Sequence, residues 1–140
     1  MVYPLDRRHW AGSGRVGGLV HEALAGQDAT DTAGEIADFA MSTAGAGSGL
    51  GWKSTAVLAS HANYWSDALG AAALGGDANP TTFGYEPLVL VESPLVVGTY
   101  TPTYLKTLAG DGVAKVNVLG GPLAMPTATV NSLLADIAAG

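Results

Sequence analysis

The stretch from Thr55 to Gly76, TAVLASHANYWSDALGAAALGG, constrains the fold more than any other part of the chain. It opens on an apolar run, Thr55-Ala56-Val57-Leu58-Ala59, with the first strand expected over about Ser54 to Ala59. A polar and aromatic turn follows, Ser60 to Ser66, and then a small-residue helix pattern from Asp67 to Leu74 closed by Gly75-Gly76. Ser66 is the expected N-cap. Strand, loop and helix in that order are the unit from which parallel sheets are built.

The rest of the chain repeats this unit. Pro87 to Glu92 reads PLVLVE, continuous rather than alternating in its apolar residues, as a strand buried on both faces does. Thr101-Pro102 reads as an N-cap and first helical residue, with Tyr104, Leu105 and Leu108 on one face. Lys115 to Leu119 is the third strand. Pro126 starts a last helix with Val130, Leu133, Leu134 and Ile137 as its apolar stripe. Ahead of the first strand, Asp31 to Ser42 is a helix with Thr30 or Asp31 as cap, and Gly18 to Ala25 is a short helix pattern. The expected fold is a small α/β domain: three layers, α/β/α, around a short parallel sheet of Rossmann-like connectivity. Residues 1–16 read as an extended N-terminal arm and residues 17–140 as a single domain. Ligands of such sheets sit beyond the carboxyl ends of the strands. Here those ends are Ser60 to Ser66, Glu92 to Thr101 and Gly120 to Pro126.

Charge narrows the partners. Only 13% of the 140 residues are charged, about half the usual share, and the net charge is −6. A surface so poor in charge suggests cover by other subunits. The arginines are Arg7, Arg8 and Arg15, and the remaining cations are Lys53, Lys106 and Lys115. The body therefore lacks the basic face that nucleic acid requires. No run approaches the roughly 18 apolar residues of a membrane span. The absence of cysteine excludes disulfides, thiolate metal sites and cysteine nucleophiles. The N-terminus has no apolar core of a secretory signal, so a cell-surface location requires another export route.

Catalytic patterns are poorly formed. Gly12-Ser13-Gly14-Arg15-Val16-Gly17 matches GxGxxG in letters, but the preceding residues are no strand pattern. Ser60, His61 and Asp67 suggest a hydrolase, yet no GxSxG elbow is present, and adjacent strand residues point to opposite faces. His9, His21 and His61 share no metal-ligand spacing. No cofactor and no metal site are expected. Asp67 suits a helix start, where a carboxylate meets free N–H groups. Glu92, ending an apolar strand, is suited to an ion pair, and Arg15 is a partner of the right kind. Trp10, Trp52, Tyr64 and Trp65 stand in or beside loops and suit packing, subunit anchoring or sugar contact alike.

Taken together these pieces resemble one repeat of the cell wall binding repeat 2 family. The resemblance is carried by Arg15-Val16-Gly17-Gly18, Asp31-Thr32-Ala33-Gly34-Glu35-Ile36-Ala37, Val57-Leu58-Ala59-Ser60 and Tyr64-Trp65-Ser66-Asp67-Ala68-Leu69. It continues through Pro87-Leu88-Val89-Leu90 and Val116-Asn117-Val118-Leu119-Gly120-Gly121, over about Arg15 to Ala139. It implies a three-layer α/β domain that is not an enzyme and that holds surface proteins to bacterial wall polymers. In the family three repeats pack about a pseudo-threefold axis, so a chain with one repeat is expected to form a closed homotrimer. The binding residues so implied are Arg15, Ser60, Asn63, Tyr64, Trp65, Asp67, Glu92, Gly120 and Gly121. An acidic body and the missing signal motivate an alternative. That alternative is a structural protein of a bacteriophage virion, a capsid decoration or tail component, docking onto a shell protein through Arg7, Arg8 and Trp10.

Overall fold

A computed structural model describes residues 14–16, 19–21, 24–42, 49–76 and 85–140. Among these described residues the α/β body has three parallel strands and four helices. β3 (Ala56–His61) is central, flanked by β4 (Leu88–Val91) and β5 (Lys115–Val118), and it follows the hairpin strands β1 (Gly14–Val16) and β2 (Leu19–His21) in the chain. Leu58 is in register with Leu88 on one side and with Asn117 on the other. All six residues of β3 are buried, the polar Ser60 and His61 included, as in a strand covered on both faces.

The helices are α1 (Ala29–Met41), α2 (Trp65–Gly75), α3 (Thr101–Gly110) and α4 (Thr127–Ala138). The chain moves outward from β3 to β4 through α2, then back across to β5 through α3. With both crossovers of one hand, that reversal puts α2 and α3 on opposite faces. Accordingly α1, α3 and α4 pack together on one face, and α2 lies on the other against β3 and β4. The expected three-layer α/β/α architecture is thus present. The main core fills the three-helix side: Val57, Ala59, Val89 and Val91 from the sheet meet Ala37, Met41, Leu105, Leu108 and Leu133. Alternate residues of the same strands, Leu58 and Leu88 among them, face α2.

Polar side chains fix the layers. Asp28, not Thr30 or Asp31, caps α1: its carboxylate accepts the N–H of Thr30 at 2.8 Å and that of Asp31 at 3.0 Å. Asp31, freed from capping, accepts the N–H of Gln27 and joins Glu35 around the Tyr104 hydroxyl of α3, at 3.0 and 2.6 Å. Gly34 lies under the same ring. A Cβ at that position would fall 2.0 Å from Tyr104 Cδ2, so only glycine lets α1 and α3 meet there. On the α2 side, Asn117 of β5 donates its amide to Glu86 at 2.8 Å, and Glu86 is buried. That bond ties β5 to the segment leading into β4, from opposite sides of β3.

Other boundaries also differ from the sequence reading. Leu19 to His21 is strand β2, antiparallel to β1, where a short helix over Gly18 to Ala25 was expected. Val16 pairs with Leu19, and the glycine pair between them in the sequence favours a hairpin over a helix. Strand pairing thus crosses the expected division between residues 16 and 17. β3 starts and ends two residues later than the expected Ser54 to Ala59, so Ser60 and His61 belong to the strand. Parallel pairing to Leu90 and Val91 extends it past its apolar letters. Helix α2 begins at Trp65, with Tyr64 at the N-cap making no side-chain bond, rather than at Asp67 behind a Ser66 cap. Thr101 is the first residue of α3 instead of its cap, and its hydroxyl donates to the Leu90 carbonyl at 2.6 Å.

Candidate functional site

The carboxyl ends of the three strands converge on one edge of the body. From β3 the chain turns through Ala62 and Asn63 into α2. From β4 it turns through residues 92–100, and from β5 through residues 119–126. The Thr129 hydroxyl of α4 donates to the Pro94 carbonyl, which joins the second loop to the end of the third.

Asp67 and Gly120 meet at the centre of this edge. Gly120 has φ +112°, and a Cβ there would stand 3.0 Å from Asp67 Oδ2 and 3.1 Å from the Ala124 Cβ. The carboxylate therefore sits between the first turn of α2 and the glycine turn after β5, half-buried. Asp67 is the third residue of α2, in its first turn, where a negative charge suits the helix dipole, although no side chain caps this helix. Gly121 is exposed, and its carbonyl closes the following turn by accepting from Ala124 at 3.0 Å and Met125 at 2.9 Å. Asn63 is exposed, and its backbone N–H donates to His61 Nδ1 at 2.9 Å. Tyr64 packs its ring against that of His61, with centroids 4.9 Å apart.

Other expected residues stand elsewhere. Ser60 is completely buried and its hydroxyl has no hydrogen-bond partner, so it is sealed beneath the edge instead of lining it. It faces α2 with Leu58, and His61 faces the three-helix side, so the two side chains point apart. His61 Nε2 is likewise buried without a partner. The pair forms no nucleophile and base. Trp65 lies on the outer side of α2, 71% exposed, about half a helical turn from Asp67. Glu92 is exposed just after β4, where its N–H donates to the Val97 carbonyl at 3.3 Å. Arg15 lies in β1. Arg7, Arg8 and Trp10 lie outside the described residues.

Two exposed leucines were not foreseen. Leu95 is 82% and Leu123 90% exposed, each following a proline in a turn at this edge. The Pro94-Leu95 and Pro122-Leu123 pairs, each placing a leucine just after a proline in a turn, were the available signal. Among the described residues no group of His, Asp and Glu is arranged to hold a metal ion, and no helix is long and apolar enough to cross a membrane. What the edge offers is a carboxylate acceptor, an exposed amide, backbone groups of glycine turns, an aromatic ring and aliphatic tips. That set suits hydrogen bonding and apolar contact with a ligand. No family model matches the chain, and no curated protein or solved structure shows significant similarity to it.

Proposed function

We propose that this chain is a non-catalytic binding module that acts as a homotrimer and attaches to bacterial cell-wall glycopolymer through the strand-end edge. One observation carries the reading: the Asp67 carboxylate held against Gly120, with Asn63, Tyr64 and Gly121 in the adjoining turns. Carboxylate, amide and backbone groups are the partners that sugar hydroxyls take, and an aromatic ring offers the matching apolar face. The resemblance to a cell wall binding repeat and the α/β/α architecture point the same way. An acidic body repels anionic polymers, so the reading favours neutral stretches of glycan over phosphate-rich ones. Retention on purified cell walls tests it. Asp67→Ala is expected to lower retention at least tenfold while the far-ultraviolet spectrum stays native. No retention of the wild-type chain on walls from several Gram-positive species would refute the proposal.

The alternative, a virion structural protein, has one observation of its own. The β1–β2 hairpin packs against no other described helix or strand. Two short strands alone are marginal in water, so a partner that covers the hairpin would stabilise it. Deleting residues 1–14 is expected to abolish incorporation into the shell and leave the α/β body folded. Unchanged incorporation would remove this reading.

A further inference from the structure

The chain enters its α/β body at the strand-end edge. The C-terminal end of α1 lies beside the approach to β3, because the N–H groups of Leu50 and Trp52 donate back to the carbonyls of Phe39 and Ala40. The N-terminal end of this 13-residue helix is about 20 Å away, at the end of the body where the strands finish. Tyr104, near the start of α3, bonds to Asp31 and Glu35 there and agrees with that placement. Charge divides the chain at the same point. Residues 1–21 hold Arg7, Arg8 and Arg15 against one carboxylate, Asp6, whereas residues 22–140 hold eleven carboxylates against three lysines. At the edge, the carboxylates of Asp67 and Glu92 have no hydrogen bond or ion pair among the described residues. Lys53 and Lys115 stand at the opposite end of the sheet, and the backbone of Lys106 lies against Gly140, beyond the end of α4. The edge therefore has free acceptors and exposed leucines but no described cation.

We infer that this edge is a docking surface for the chain's own N-terminal arm, with Arg7 and Arg8 against Asp67 and Glu92 and Trp10 against Leu95 and Leu123. The arm thereby competes with ligand for the edge, an inference that rests on the edge being the binding site proposed above. Charge complementarity selects this occupant, since the cationic segment emerges beside the unpaired carboxylates. Its length suffices. The hairpin brings Gly14 back beside His21. Residues 8–13 and 22–28 on either side of it extend together to roughly 45 Å, whereas three strands span only about 10 Å. Tethering favours the chain's own arm over that of another copy, because an attached segment is present at about millimolar effective concentration. The negative bodies of separate copies repel one another besides.

The chain has no cysteine, so pairs of introduced thiols in the full chain report the docking. Ala11→Cys with Leu123→Cys, treated with oxidised glutathione in dilute solution, is expected to close a disulfide within one chain. Closure should be about fivefold faster than for Ala11→Cys with Ala114→Cys, an exposed position just before β5 at the far end of the sheet. About 1 M salt, where screening acts within about 3 Å, should erase the difference, as should Arg7→Gln with Arg8→Gln. The cysteine-free Arg7→Gln, Arg8→Gln chain is expected to be retained on purified walls about threefold better than wild type, because more of its edges are open to ligand. Equal closure at positions 123 and 114, or linkage between chains only, would overturn the docking. Preferential closure at 123 with retention unchanged by the arginine substitutions would overturn the competition with ligand. Preferential closure with no variant retained on any wall would uphold the docking and refute the wall-binding reading.

Discussion

Gly34→Ala tests the junction between α1 and α3. In an ordinary helix interior this change stabilises by about 1 kcal/mol, because alanine is the better helix former. Here the new Cβ would lie 2.0, 2.3 and 2.5 Å from the Cδ2, Cε2 and Cγ atoms of Tyr104. Relief requires the ring to retreat by roughly 1.5 Å to reach ordinary carbon contact. The ring is not free to do so, because its hydroxyl is bonded to Asp31 and Glu35, both on α1. Overpacking costs about 1–3 kcal/mol, and losing a hydrogen bond to a charged group about 1.5–3. Set against the propensity gain, the net loss is about 2–4 kcal/mol, or a fall in Tm on the order of 10 °C for a chain of this size. Urea denaturation of wild type, Gly34→Ala, Tyr104→Ala and the double variant measures it. With the ring gone, Gly34→Ala is expected to be neutral or stabilising, giving a coupling of about 2 kcal/mol or more. A Gly34→Ala protein as stable as wild type would show that the two helices are not packed as described.

Asp28→Ala is expected to destabilise by about 1 kcal/mol at neutral pH through loss of the α1 cap. The Thr30 hydroxyl and the Asp31 N–H hold the Asp28 carboxyl below its ordinary 3.8. The cap's contribution is therefore complete above that value and disappears as pH falls through the depressed one, so the two proteins should converge in stability in acid. Tyr104 is shifted upward, chiefly by burial and then by its bonds to Glu35 and Asp31. Its contribution to stability is full below pH 10, the ordinary value, and is lost at higher pH; in an alkaline titration its tyrosinate absorbance should appear only as the fold is lost. Leu105→Ala and Leu133→Ala, at fully buried core positions, should each cost about 2–5 kcal/mol in chemical denaturation. An exposed-site change such as Ser132→Ala should stay within about 0.5 kcal/mol.

The order of elements from α1 to α4 was legible because each carries its own local signal. Continuous apolar runs marked β3 and β4, Pro102 and Pro126 marked two helix starts, and Gly110 and Gly112 bracketed the end of α3. What was not legible depended on partners distant in sequence. β3 runs on through Ser60 and His61 only because Leu90 and Val91 pair with them. Asp28 won the cap from Asp31 because Asp31 is held by Gln27 and Tyr104, the latter far along the chain. Leu19-Val20 reads equally as helix or strand over so few residues, and Gly17-Gly18 decides it. At the candidate site Asp67 and Gly120-Gly121 stood out by type and position. The burial of Ser60 and the exposure of Leu95 and Leu123 follow from layer geometry, which periodicity does not encode.

The bond between Glu86 and Asn117 has a consequence for how the sheet opens. β4 and β5 share no backbone ladder, and in a three-stranded sheet each edge would ordinarily fray alone. A buried carboxylate that loses its amide partner is costly, so detaching β5 also penalises the segment leading into β4. The two edges are thereby joined into one cooperative unit across a strand that belongs to neither. In hydrogen exchange, the amides of β4 and β5 should open together in this chain, and Asn117→Ala should let them open separately.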